Sequence, residues 1–414
     1  MGYFLIILAI YVIIYIDVEY YINILYTMYM KYLNRAIEPE LIKAVRQFPA
    51  VAVIGARQTG KSTLLKHVFP GYNYVTFDDP DVLLTAKNDP ALFSANLRPP
   101  VIIDELQYAP EILPYIKIQI DNKQKNGAYI FTGSQIFTLM SGLTETLAGR
   151  VALFELWALS FAELGKTPHK PLSCYKQIFK GFYPRPNVQT IDLRLFYGGY
   201  LATYVERDVR QVQNVRDISV FQIFLQLLAA RAGQLLNLQE IAKDCGIAHA
   251  TARAWLSILE ASRIVYVLKP YFQNITKRVV KTPKLYFTDT GLLSYLLKYP
   301  NAETLMSGPS AGAVFENMVI MELIKTLGNA GSAADIYFYR DSNKNEIDLV
   351  VNKGRAFDLY EIKSGKTIKP LMAKTLSSVD LKPARKFILS FNETELLLAG
   401  GSVKAVPWWN ILHN

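Results

Sequence analysis

FPAVAVIGARQTGKSTLLKHVF, residues 48–69, runs from an apolar segment through a glycine-bounded loop into a helical segment. Val51–Ile54 reads as a short buried strand. Gly55-Ala56-Arg57-Gln58-Thr59-Gly60-Lys61-Ser62 then matches the spacing G-x-x-x-x-G-K-[ST], in the strand–loop–helix setting that this spacing requires. The glycines let the backbone close on an anion. Loop amides and the helix N-terminus face that anion. Gly55 through Thr63 is therefore the candidate phosphate cradle, with Lys61 reaching the outer phosphates of ATP and the Ser62 hydroxyl holding Mg²⁺.

Such a cradle needs a carboxylate for the metal. PPVIIDELQ, residues 99–107, supplies one: Val101–Ile103 reads as a buried strand with Asp104 and Glu105 at its C-terminal end, where open α/β sheets bind ligands. Asp104 is expected to hold Mg²⁺ through water, from the adjoining strand end. Glu105 is expected to orient and deprotonate the attacking water, which makes the site hydrolytic. AYIFTGS (128–134) reads as another strand, ending in Thr132 and Ser134 near the γ-phosphate, and VALFELWALS (from 151) as the last. With YNYVTFDDP after the first helix, strands alternate with helical segments, the pattern of a wound parallel sheet.

In this order GARQTGKSTLL, IDELQ, TGS and LAGR resemble a prokaryotic group of AAA-superfamily ATPases. The resemblance implies that Arg150, in LAGR, is an arginine finger or sensor, in cis or across a subunit contact that would make the protein a homo-oligomer. A helix-end arginine in a surface ion pair is the other reading. Arg57, inside the loop, is a further candidate phosphate contact.

Residues 166–190, rich in Pro, Lys and aromatic side chains, read as a linker with a short lid. A long helical stretch follows. Leu225, Leu228 and Ala229 share one of its faces, and its Glu206-Arg207-Asp208 resembles an ERDV found in the same ATPase group. LQEIAKDC and HATARAWLSILEASR, joined at Gly246, read as a helix-turn-helix with Ala252, Trp255, Leu256 and Leu259 at core spacing. His249, Thr251 and Arg253 fall on its exposed front. IVYVLKPYFQNITKRVVKTPKLYF (264–287) reads as a β-hairpin wing carrying Lys277, Arg278, Lys281 and Lys284. These basic residues suit phosphate contacts to double-stranded DNA; packing against the nucleotide domain or a partner is the alternative.

NEIDLVVNKGRAFDLYEIKSGK, residues 345–366, reads as two strands around an Asn352-Lys353-Gly354 turn. Period two puts Glu361 and Lys363 on one face, and Asp348 can come level with Glu361 across the hairpin. Two carboxylates on neighbouring strands make a hard-oxygen Mg²⁺ site, a nearby lysine can activate water, and Glu316 from a preceding helix adds a third acid. This constellation resembles the PD-(D/E)xK nuclease fold, with Asp348, Glu361 and Lys363 as its matching residues and Ile347 where that motif has Pro. The resemblance implies either DNA cleavage or a retained scaffold that binds nucleic acid or a partner.

The fold expected is α/β throughout: a hydrophobic extension (1–30), a P-loop, AAA-like parallel-sheet domain (31–165), a linker and helical segment (166–215), a winged-helix domain (216–295) and a restriction-endonuclease-like α/β domain (296–414). At 414 residues several cores are expected. Lys and Arg number 45 against 35 Asp and Glu, an excess that permits nucleic acid or an anionic membrane as partner without demanding either. Cys174 and Cys245 lie far apart, which fits a reducing cytosol, and four scattered histidines argue against zinc. YFLIILAIYVIIYI (3–16) is shorter than the roughly 20 residues a spanning helix needs. Three readings stay open for residues 1–27: a natural start at Met28 or Met30, a membrane anchor, or a buried hydrophobic helix. Two functions follow: an ATPase that positions and cuts DNA, or an ATP-dependent switch that docks a partner.

Overall fold

The computed structural model describes residues 32–134, 143, 145–166, 169–205, 218–271, 282–331, 335–379, 381 and 384–413. The hydrophobic extension, the Glu206-Arg207-Asp208 cluster and Lys277, Arg278 and Lys281 lie outside the described residues. Among the described residues no helix is long and apolar enough to cross a membrane.

The N-terminal sheet has five strands: β1 (Ala50–Ile54), β2 (Asn73–Thr76), β3 (Val101–Asp104), β4 (Tyr129–Gly133) and β5 (Val151–Glu155), in the order β2-β3-β4-β1-β5. Every pairing is parallel. β1, β3 and β4 are buried along their whole length, because helices cover both faces; that is why they read as continuous apolar runs instead of alternating ones. β4 stands between β1 and β3, so the acidic strand is not the neighbour of the strand that feeds the cradle.

Residues 166–190 are not a linker. They form α1 (Pro171–Lys180) and α2 (Pro184–Val188), each opened by a proline whose missing N–H costs nothing there. Cys174, Tyr175, Ile178, Phe182 and Tyr183 are buried. The aromatic content that resembled a lid is core. α3 (Leu193–Tyr200) and α4 (Ile218–Ala230) follow, then α5 (Leu238–Asp244) and α6 (His249–Ala261), then the antiparallel pair β6 (Val265–Leu268) and β7 (Lys284–Phe287). Ala252, Trp255 and Leu259 of α6 are buried, while His249 and Arg253 are exposed.

α7 (Ala311–Asn329) crosses the interior, and a six-stranded sheet completes the chain: β8 (Asp335–Arg340), β9 (Glu346–Asn352), β10 (Phe357–Ile362), β11 (Ala384–Ser390), β12 (Leu396–Leu398) and β13 (Val403–Pro407), ordered β12-β13-β11-β10-β9-β8. β9 and β10 are the expected hairpin, turning at Gly354 with its φ of 80°. One buried cluster runs from Trp157 through α1, α4, α6, β7 and α7 to Leu412. The hydrophobic core therefore does not divide at residues 215 and 295. The chain after β6 even lies along β8, with the Tyr271 amide donating to the Phe338 carbonyl at 2.7 Å.

Candidate functional site

The loop after β1 is fixed by backbone geometry. At Gly55 an added Cβ would stand 2.2 Å from the Leu156 carbonyl oxygen, and Gly60 caps the next helix at φ 91°. Only glycine tolerates both demands. The Lys61 ammonium is buried and donates to the carbonyls of Gly55 (3.1 Å) and Ala56 (2.9 Å), so it curls over its own loop. Thr59 Oγ1 donates to Ala56 O at 2.9 Å, and Arg57 Nη2 reaches the Tyr108 hydroxyl at 3.2 Å. Gln58 takes a left-handed φ of 61°. Ser62 and Thr63 open the helix Lys61–Val68.

The acids of β3 meet this loop across β4. Ser62 Oγ donates to Asp104 Oδ2 at 2.7 Å. Asp104 also accepts from the hydroxyls of Tyr74 and Thr132, and is buried. Hydroxyl and carboxylate oxygens brought this close form a hard donor set that fits the Mg²⁺ a P-loop fold implies. Glu105 follows in the left-handed region at φ 58°, with its N–H on Thr132 Oγ1 at 3.2 Å. Its carboxylate accepts from Ser134 Oγ at 3.0 Å and from the Gln107 amide. Ser134 thus serves Glu105, and Gln107 is a partner that the sequence reading missed.

Beside the loop lies a cavity of about 360 Å³ that no motif announced. Gln58, Thr59, Gly60 and Thr63 form one wall; Tyr32, Leu33 and Arg35 form a second; Pro184, Arg185, Val188 and Gln189 of α2 and its end form the third. Arg35 ties the walls together: its guanidinium donates to the carbonyls of Thr59 (2.9 Å) and Trp157 (2.7 Å) and pairs with Glu163 at 3.0 Å.

Arg150 is elsewhere. It precedes β5, whose first residue pairs with Ala50, whereas the cradle leaves the far end of β1. About 15 Å of strand separates the two. Arg150 makes a two-pronged ion pair with Asp121 at 2.5 and 3.2 Å, half exposed. The surface ion pair with Asp121 is the contact this placement gives Arg150.

In the C-terminal sheet, register places Tyr360 opposite Leu349, and Glu361 and Asp348 are the next residues along the two strands. Asp348 Oδ2 accepts from the Ile362 amide at 2.8 Å, and Glu361 Oε1 pairs with Lys363 at 2.6 Å, leaving Glu361 Oε2 buried without a hydrogen-bond partner. Burial and then the Asp348 charge push Glu361 up to about 7, and do the same to Glu316 on α7.

Lys284 overturns its expected place on an exposed wing. It is buried, with Nζ 2.5 Å from Glu346, 3.4 Å from Glu316 and 3.8 Å from Asp348. Burial alone would lower its pKa, but Glu316, Asp348 and Glu346 outweigh that and raise it above an ordinary lysine's. The reason is packing: β7 is buried at every position, so its lysine must enter the protein and find anions. Among the described residues no group of three or more His, Cys, Asp or Glu side chains is arranged to hold a metal ion. The expected Glu316, Asp348 and Glu361 trio is not such a group: Lys284 stands against Glu316 and Asp348, while Glu361 pairs with Lys363.

Parallel sheet, glycine-bounded loop and strand-end acids define a P-loop ATPase domain of the AAA kind. The family model described as an AAA domain matches residues 47–165; two families described as domains of unknown function, DUF8612 and DUF4143, match 173–303 and 311–411. Uncharacterized proteins of Mycobacterium tuberculosis and Mycobacterium bovis are each 32% identical over 383 residues, covering 92% of this chain and 84% of theirs, and the chain belongs to their family. Among solved structures, a Walker-type ATPase of Pyrococcus abyssi is similar at 15% identity and TM-score 0.44, over 64% of this chain and 96% of that one. The RuvB Holliday junction branch migration motor of Thermotoga maritima is similar at 15% identity and TM-score 0.29, over 56% and 88%.

Proposed function

We propose that this ATPase binds ATP between Gly55 and Thr63 and hydrolyses it with Glu105, and that its cycle acts on DNA through the segments that follow. The contact of Ser62 with Asp104 at 2.7 Å carries the reading, because it joins two oxygen ligands suited to one Mg²⁺. Mg²⁺, when bound, offsets charge on the transferring phosphoryl group. Lys61, freed from its own loop carbonyls, neutralises the outer phosphates. Thr132 and Ser134 hold the two acids in place. The cavity beside Gly60 takes the base, its Tyr32 and Val188 walls supplying apolar contact and Arg185 a charge near the phosphates. Arg150, remote from its own cradle, would complete a neighbouring subunit's site in a homo-oligomer.

For the base cavity, Val188→Trp is expected to weaken ATP binding about tenfold or more, ~1.4 kcal/mol, while leaving tripolyphosphate binding unchanged. Equal losses for both ligands would remove the base from this cavity.

The C-terminal segments support two readings. Asp348 and Glu361 on neighbouring strands of one hairpin, with Lys363 paired to Glu361, support a PD-(D/E)xK-like domain behind a winged helix, acting on double-stranded DNA. Lys284 among the acids favours the second reading: an ATP-dependent switch that docks a partner on an inactive nuclease-like fold. Supercoiled plasmid incubated with Mg²⁺ or Mn²⁺, with and without ATP, separates them. Nicking that disappears in Asp348→Ala with ATP turnover intact supports cleavage. Intact plasmid under every condition, with partner capture lost in Lys61→Ala, supports the switch.

A further inference from the structure

One cavity holds only positive charge. It measures about 620 Å³ and lies between α1 and the turn before it. Lys166, His169, Lys170, Lys176, Gln177 and Lys180 line it, over a floor that includes Phe161, and among the described residues no carboxylate does. Lys170, Ser173, Lys176 or Gln177, and Lys180 recur at helical spacing, so one face of α1 presents the lysines. Lys166 holds to the Gln177 side-chain oxygen at 3.0 Å, and Glu303 reaches only the outer Lys176, at 3.9 Å. Burial and then the Lys166 charge lower the Lys180 pKa, as expected where ammonium groups crowd without anions.

We propose that this cleft binds the phosphodiester backbone of nucleic acid without regard to sequence. The inference rests on the DNA-acting reading above and names a contact surface for it. Length argues for a polymer: Lys170 to Lys180 spans about 15 Å of helix, too far for one phosphate group and enough for several along a strand. An aromatic neighbour argues for bases beside those phosphates. His169, exposed at the rim, meets Trp409 edge-on with ring centroids 4.7 Å apart, a surface on which an unpaired base can stack. Lysines, as flexible point charges, suit contact that does not read sequence.

The test is equilibrium binding of a short labelled single strand and its duplex to the full chain, from ~50 to ~200 mM salt. Lys166→Gln, Lys170→Gln and Lys180→Gln combined should weaken binding about 10- to 100-fold and reduce the log–log salt slope by about 2–3. The corresponding arginine substitutions should keep it, and ATP turnover should be unchanged in both. Should the glutamine variant lose ATP turnover, Lys170→Glu at the exposed rim decides, by the same weakening or its absence. Wild-type binding unaffected by these changes overturns the cleft and leaves the DNA reading standing, with Arg253→Ala as the variant that then reduces binding. No binding by wild type at the lowest salt overturns both. Loss of inorganic tripolyphosphate or anionic-vesicle binding with DNA binding intact overturns the assignment to nucleic acid.

Discussion

Glu105→Gln protein is expected to retain ATP and to turn it over about 10²–10⁴-fold more slowly. The side chain keeps its shape and its hydrogen bonds from Ser134 and Gln107, but the amide cannot take a proton from water. The backbone supports a catalytic reading of this position. A left-handed φ of 58° is uncommon outside glycine, and here it turns the carboxylate away from the line of β3 toward Thr132 and Ser134 at the end of β4. Phosphate release measured beside ATP affinity separates the roles. Lys61→Ala should lose affinity as well as rate, because the lysine contacts the phosphates before reaction begins; Glu105→Gln should lose rate alone. Wild-type turnover by Glu105→Gln would remove it as the base and pass the role to another group at the strand end.

The cradle was legible because its requirements are local: a buried strand followed at once by two glycines, a lysine and a hydroxyl within eight residues of one another. The order β2-β3-β4-β1-β5 was not, since which parallel strands become neighbours is settled by the helices between them. The cavity beside Gly60 was hidden for the same reason, its walls coming from residues 32–35, 58–63 and 184–189. At Lys284 a signal existed. Period two places it with Tyr286, a residue whose hydroxyl donates to Glu316 at 2.7 Å. The run of basic residues just before it made an exposed strand the simpler reading. The core spanning Trp157 to Leu412 was also illegible, because composition marks where apolar residues lie along the chain and not which segments share them.

Lys284→Met is expected to cost about 3–5 kcal/mol of stability at pH 8, the range for removing one partner of a buried ion cluster. Methionine fills the stem's volume, but Glu316, Glu346 and Asp348 lose the cation among them; Glu346 keeps Arg340 at 2.6 Å, and Asp348 and Glu316 keep only the charge of the nearby Lys363 among the described residues. The cost should depend on pH. Burial and Asp348 already hold Glu316 at about 7 in the folded protein, against 4.5 for the free side chain. A carboxyl so raised contributes stability that is fully present below about 4.5 and is lost as pH rises through 7. Without Lys284 that pKa rises further, so the variant's deficit against wild type should be smallest near pH 5 and should widen through 7 to 8. Urea midpoints of both proteins across that range give the comparison. A deficit that stays flat with pH would mean that packing, not charge, is what Lys284 supplies. Divalent ions add a second readout: if the ammonium stands where a metal would, Mn²⁺ should raise the midpoint of Lys284→Met and leave wild type unmoved, since only the variant has carboxylates left to share.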